Sequence, residues 1–255
     1  MAGDSTMAKA ENGSKGVQAR AAGYGLVLRG GFTVGPGDAL PVCHSGEPAA
    51  LLLLFGQAGS DIWAAFSHSA EYADGEADPL DRWSARVGKA LAEELGGTAC
   101  FPFEGPPWYP FGQWAQRAEN LQPSPLGILM HPDHGLWHAY RFAIVLPADA
   151  ELSRQWQHAE AEAEAEAEAE ARRMPVAHAC DDCAEKPCLH ACPVGAFSDG
   201  NYDVVACAAY LRENHEAPCH QLGCLARAAC PQAAEARYEP VHCRFHMEQF
   251  LLSLP

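Results

Sequence analysis

Apolar and polar positions are spread unevenly along the chain, and their spacing marks out a few elements. Ala49 to Phe55 is an unbroken apolar run that ends at Gly56, the pattern of a strand buried on both faces. Ile62 to Phe66 is a second, shorter strand candidate. Asp78-Pro79 opens a helical stretch in which Leu80, Trp83, Val87, Leu91 and Leu95 follow spacings of three and four, and Gly96-Gly97 stop it. The segment Phe101 to Pro110 carries four prolines and four aromatic residues, too rigid for a helix. Ala139 to Leu146 is another apolar strand candidate, ending at Pro147. These elements predict an α+β domain over residues 21–155. A polar leader, residues 1–20, buries little and is expected to be disordered.

From Ala159 to Ala171 the chain alternates Ala and Glu, with no apolar side chain larger than a methyl. Nothing there can build a core, so residues 156–173 read as a solvated spacer, helical or unstructured. Charge narrows the partners. The formal net charge is -16, so approach to a phosphate backbone is repelled and nucleic acid is not expected as a partner. No apolar run comes near the roughly 18 to 20 residues that a membrane-spanning helix requires. Met1 to Arg20 has no apolar core segment and does not read as a secretory signal, so a soluble, cytoplasmic protein is expected.

Cysteine divides the chain further. Of eleven, only Cys43 and Cys100 precede Cys180, and both read as small buried hydrophobes. The other nine crowd between Cys180 and Cys243, in a module spanning residues 174–255. In a reducing compartment such a density of thiols binds metal rather than forming disulfides. Cys180 to Phe197 reads CDDCAEKPCLHACPVGAF, a C-x2-C-x4-C-x3-C-P run. Two residues between cysteines let a tight turn aim both thiolates at one metal centre, and the proline sends the fourth thiol elsewhere. The second half repeats this more loosely, with Cys207 alone and then Cys219, Cys224, Cys230 and Pro231. Five residues, LARAA, separate Cys224 from Cys230 where three are usual.

The run resembles the motif of bacterial-type ferredoxin domains. Two C-P endings with crossed ligation imply two [4Fe-4S] clusters: Cys180, Cys183, Cys188 and Cys230 for one, Cys192, Cys207, Cys219 and Cys224 for the other. Cys243 is left over, and the irregular spacing leaves it as an alternative to Cys219. Six nearby histidines (His178, His190, His215, His220, His242 and His246) keep a zinc-stabilised interaction module as another reading.

The resemblance extends upstream. Ser124 to Pro147, SPLGILMHPDHGLWHAYRFAIVLP, resembles the segment before the clusters in epoxyqueuosine reductases and, more distantly, corrinoid-dependent reductive dehalogenases, through Gly127, Leu129, Pro132, Gly135 and Trp137. Asp203 to Leu211 is similar to that family's D-x-x-x-C-x-x-Y-L run. The resemblance implies a nitroreductase-like first domain that holds a corrinoid, followed by a ferredoxin-like two-cluster domain that feeds it electrons. The family's transfer-RNA-binding helical tail has no counterpart before Pro255, so transfer-RNA modification is not expected.

Within that frame His131, His134, His138 and Arg141 are candidate cofactor contacts or proton donors, or else an ordinary polar turn before a strand. Trp108, Tyr109, Trp114 and Trp137 are candidates for an aromatic wall against a planar macrocycle or flavin, or else core. Glu104, the one carboxylate of the Pro/aromatic stretch, is a candidate proton donor if burial raises its pKa. The sequence therefore predicts an iron-sulfur electron-transfer protein that delivers electrons to a cofactor or partner at its first domain. A corrinoid- or flavin-dependent reductase is the alternative. The acidic surface suits a basic redox partner protein.

Overall fold

In a computed structural model of the protein, residues 3–35, 37–38, 40–157, 178–198 and 200–254 are described. The Ala/Glu spacer from residue 158 onward lies outside them. The chain is mixed α and β and divides into two compact units. The first takes the chain up to Gln57, Asp61–Asn120 and the segment from Ala139. The second takes Ala58–Ser60, Leu121–His138 and the cysteine-rich C-terminal segment.

The first unit is built on a four-stranded sheet ordered β1-β2-β6-β3, with β1 Val27–Thr33, β2 Ala49–Ala58, β3 Thr98–Cys100 and β6 His138–Pro147. β1 pairs antiparallel with β2 and β3 with β6. The two apolar runs form the central strands, buried from Leu51 to Ala58 and from Phe142 to Pro147. Gly56 sits where they meet, because a Cβ there would come 2.1 Å from the Ala139 carbonyl oxygen. The predicted helix forms as Pro79–Leu95, ending on Gly96 at φ 69. It buries Leu80, Trp83, Val87 and Leu91, and Gly88 lets it lie against the Phe101 and Phe142 rings. Cys43 and Cys100 are buried in this unit, and burial pushes the Cys100 thiol up to about 12.

Two expectations for this unit change. Ile62 to Phe66 is not a strand: Ile62 caps a short helix, Trp63–Ser67. Trp63 and Phe66, three apart, share its buried face, and Phe66 meets Trp63, Tyr72 and Trp83 edge-on at 5.9, 5.2 and 5.8 Å. The leader is helical over Gly3–Ala22 and is anchored at its C-terminal end. Val17 and Ala21 are buried, and the Gln18 side chain accepts the Leu28 N–H at 2.6 Å and donates to the Leu26 carbonyl at 3.3 Å. These are the backbone groups of β1 and its approach, so residues expected to bury little instead satisfy a sheet edge.

The second unit begins with residues expected to lie in the first domain. Leu121–His138 contributes the short antiparallel pair β4 Gln122–Pro123 and β5 Leu129–Met130, then a turn closed by reciprocal His131 and Gly135 backbone bonds of 2.9 Å. Ser60 joins this unit by accepting the Glu239 N–H at 2.8 Å. The remainder consists of short helices, Pro187–His190, Val204–Glu213, Pro218–Leu222 and Leu225–Ala228, the hairpin β7 Phe197–Ser198 with β8 Asn201–Tyr202, and the closing helix Pro240–Leu252. Leu126, Met130, Leu136, Cys188, Ala226 and Cys230 form its core. The boundary moved because the apolar side chains of 121–138 are buried against cysteines, a contact that no local pattern displays. Among the described residues, no helix is long and apolar enough to cross a membrane.

Candidate metal centres

The first group of thiols is gathered by turns. The Asp181 N–H bonds the His178 carbonyl at 2.9 Å, which closes a turn around Ala179 and Cys180. Lys186, at φ 39, reverses the path, and Pro187 then starts a helical turn that carries Cys188. Cys230 arrives from the far end of the segment. Cys180, Cys183, Cys188 and Cys230 line one cavity, with Ser124, Met130 and Leu136 among its other walls. Burial first, and then the charges of Cys230, Cys188 and Cys183, push the Cys180 thiol up to about 11. Burial, Cys230 and Cys183 act on Cys188 in the same direction.

Cys192 leaves that group at Pro193. The Gly195 N–H bonds the Cys192 carbonyl at 3.1 Å, and the Ala196 N–H reaches the Cys192 sulfur at 3.3 Å. Cys207 sits in the first turn of Val204–Glu213, a helix capped by Asp203, whose carboxylate accepts the Ala206 N–H at 2.9 Å. Cys219 lies in the first turn of Pro218–Leu222, and Cys224 caps the next helix. Burial dominates in raising all three thiols. Beyond it, Cys207 feels the charge of Cys192, Cys219 feels Cys192 and Cys207, and Cys224 feels Cys219 and Cys207. Cys180, Cys183, Cys188 and Cys230 thus share one cavity, Cys192, Cys207, Cys219 and Cys224 form a second quartet linked through one another's charge, and the first draws Cys230 from across the second's stretch of sequence.

Cys243 stands apart from both. It packs with Trp137 and Tyr238, its thiol donates to the Tyr238 carbonyl at 3.6 Å, and Arg227 is the charge that acts on it. Cys219, not Cys243, has the other three thiols of the second quartet as neighbours. The long LARAA spacing has a structural use as well. Its residues form the Leu225–Ala228 turn, from which Arg227 donates to the Leu136 carbonyl at 3.0 Å and lies over the Trp137 and Tyr238 rings at 4.4 and 4.5 Å.

Among the described residues, no three His, Cys, Asp or Glu groups converge as a single metal ion requires. A four-iron cube is held differently, with one thiolate at each of four irons around a shared volume. The donor set fits that arrangement. Burial and the neighbouring thiols oppose the ionisation of Cys180 and Cys188, and a cationic iron core would reverse that opposition. His178 Nε2 and His220 Nδ1, each close in sequence to a quartet cysteine, are buried without a hydrogen-bond partner among the described residues.

No family model and no curated protein matches the chain. The remaining candidates therefore rest on their own geometry. His131, His134, Trp137 and His138 belong to the cysteine-rich unit and not to the first domain, where a cofactor was expected. His131 Nδ1 accepts the Asp133 and His134 N–H groups at 3.0 and 3.2 Å, and its ring stacks on His134 at 4.4 Å. His138 Nε2 donates to the Leu129 carbonyl at 2.8 Å. These contacts shape the turn that carries Leu136 to the first cavity. Arg141 belongs to the first unit, where its charge acts on Asp81. Glu104 is exposed in a turn, so the burial that would suit it to proton donation is absent. Trp108, Tyr109 and Trp114 do come together, lining a cavity of about 400 Å³ in the first unit with Gln113 and Arg117. Trp137, in the other unit, is not part of that wall.

Proposed function

We propose that the protein is an iron-sulfur electron-transfer protein carrying two [4Fe-4S] clusters, with Cys180, Cys183, Cys188 and Cys230 holding one and Cys192, Cys207, Cys219 and Cys224 the other. The observation that carries this reading is the sorting of eight thiols into two quartets, with the cysteines before Pro193 and Pro231 exchanged between them. The ferredoxin-like motif supports it, and the similarity to epoxyqueuosine reductases supports a nitroreductase-like first unit. Such clusters supply reversible one-electron transfer at low potential. The chain's own groups do the rest. Met130, Leu136 and Pro187 keep water from the first quartet's sulfurs, and the Ala196 N–H steadies Cys192. The electrons are delivered to a cofactor or a basic redox protein at the first unit.

The second reading is a reductase that completes its reaction on a corrinoid or flavin. The aromatic cavity of Trp108, Tyr109 and Trp114 favours it, because its size lies within the range of about 300–1,000 Å³ usual for cofactor and drug-sized ligands. Anaerobic purification followed by a visible spectrum and assays for iron, sulfide, zinc and cobalt tests both. About eight irons and eight sulfides per chain are expected from the two ligand sets. A corrinoid or flavin spectrum in addition moves the protein from carrier to reductase. Stoichiometric zinc without sulfide, after iron-replete expression and strict exclusion of oxygen, overturns the redox reading in favour of a structural module.

A further inference from the structure

The aromatic cavity of the first unit combines rings with planar polar groups. Gln113, Trp114 and Arg117 lie within one turn of the helix Phe111–Glu119 and share the face that lines it. Trp114 is buried, packed on the Phe111 ring at 4.9 Å and on the Tyr109 ring at 5.5 Å. Trp108 is the opposite case, 63% exposed. Its backbone is nevertheless restricted, because prolines flank the Trp108-Tyr109 pair on both sides. Its ring lies against Gly105, where a Cβ would come 2.6 Å from Cε3. An aromatic side chain already held in this way loses little freedom when a ligand covers it. On the polar side, Arg117 donates from Nη1 to Asp38 Oδ2 at 2.8 Å and from Nη2 to the Thr33 carbonyl at 2.7 Å, and its guanidinium lies 4.0 Å from the centre of the Phe32 ring. The Gly35 N–H donates to the same Asp38 oxygen at 2.7 Å, and among the described residues no bond falls on Oδ1.

We propose that this cavity binds an uncharged sugar, a mono- or disaccharide, stacked on Trp108 with its hydroxyls on Asp38 and Gln113. The inference goes beyond the electron-transfer reading and does not depend on the clusters. Charge decides the first part of the choice. Among the described residues that line the cavity, Arg117 is the only cation and Asp38 the only anion, and they neutralise one another. No unmatched charge is left for a phosphate, a carboxylate or an ammonium group, and the net charge of -16 repels anions further. Ring geometry decides the second part. Two rings that clasp a flat heteroaromatic ligand between them stand roughly 7 Å apart, the sum of two carbon contacts. Tyr109 and Trp114, at 5.5 Å, leave no room for one, so stacking is one-sided. A pyranose suits a one-sided platform: the hydrogens on one face of its ring meet the negative face of an indole, and its hydroxyls project from the rim. The Gln113 amide both donates and accepts there, and Asp38 Oδ1 accepts. The cavity, about 400 Å³, is of a size usual for small ligands.

The test is isothermal titration of the full chain, purified anaerobically, with cellobiose, maltose, lactose and N,N′-diacetylchitobiose, and separately with riboflavin. At least one disaccharide is expected to bind with a Kd of about 1 mM or tighter. Trp108→Ala is expected to weaken that binding about tenfold, the loss of one aromatic stack, with the circular dichroism spectrum and thermal midpoint unchanged because the side chain is largely in water. Gln113→Ala, at an exposed position, is a second variant expected to weaken it several-fold. Absence of binding by all four disaccharides at about 10 mM, far above the expected Kd, overturns the proposal. Sugar binding that neither substitution weakens overturns the assignment to this cavity. Riboflavin binding that Trp108→Ala abolishes, without sugar binding, overturns the sugar class and favours the reductase reading. Iron and sulfide counted on the same samples judge the cluster reading separately, so either conclusion can fail alone.

Discussion

Cys219 and Cys243 show how little a residue type says without its neighbours. Both are buried thiols in the same short segment, yet Cys219 shares its surroundings with three other quartet thiols, while Cys243 fills an aromatic pocket and answers to Arg227. Cys219→Ser is expected to lower iron per chain by up to about half, one cluster of two, whereas Cys243→Ser leaves the count unchanged. Metal analysis of the two variants purified side by side checks this. Gly223 links the two thiols. It stands at φ 89 and ψ 179, a conformation essentially confined to glycine, and a Cβ there would lie 2.9 Å from both Cβ and Sγ of Cys243. Gly223→Ala is expected to destabilise by about 2–4 kcal/mol, from backbone strain together with overpacking. Adding Cys243→Ala should recover the packing part only. A double-mutant cycle on thermal unfolding separates the two contributions.

Among the elements, β1 shows how a strand edge is tied to the helix Phe111–Glu119 that packs against it. Arg29, 2% exposed, grips Glu119 through Nε and Nη2 at 2.9 Å each, and the Tyr140 hydroxyl donates to the same carboxylate. Burial is the main cause that holds the Tyr140 phenol above its ordinary value, with the bond to Glu119 adding to it and Arg29 opposing. A folded-state value that is raised means the neutral phenol is favoured in the native protein. Its stabilisation is complete below about pH 10 and is lost as pH rises beyond it. Tyr140→Phe is expected to cost about 1 kcal/mol near neutral pH. It should also flatten the alkaline decline of the thermal midpoint relative to wild type. Equal alkaline slopes in the two proteins would show that Tyr140 does not govern that limb.

For the whole molecule, the dominant quantity is a net charge of -16. At low ionic strength that field draws a cationic protein toward the acidic surface, and at 0.1 M salt it is screened beyond about 10 Å. On the proposed electron-transfer function, the reduced protein is expected to reduce cytochrome c, a basic acceptor, more slowly as salt is added, and an acidic acceptor faster. Stopped-flow rates across a salt series check the sign. A rate to cytochrome c that is independent of salt would remove charge from partner choice.

Local chemistry determined much of what was legible in the sequence. The β2 and β6 runs, the helix Pro79–Leu95 with its Asp78 and Gly96 ends, and the helix-excluding Pro/aromatic stretch all follow from periodicity and backbone restriction, which neighbouring residues impose on one another. The dense thiol motif likewise marked the segment in which Cys180, Cys183, Cys188 and Cys230 come to line one cavity. What only the tertiary structure decided was membership. Residues 121–138 join the cysteine-rich unit, Trp137 leaves the aromatic wall, Glu104 stays in water, and Cys219 rather than Cys243 enters the second quartet. The turn around Ile62 went the same way, because Trp63 and Phe66 find aromatic partners distant in sequence. Each of these depends on burial and on contacts that reach beyond the immediate neighbours in sequence, Phe66 with Trp83 and Trp137 with Tyr238 among them. The sequence specifies those contacts only through the folded chain as a whole, not through any local pattern.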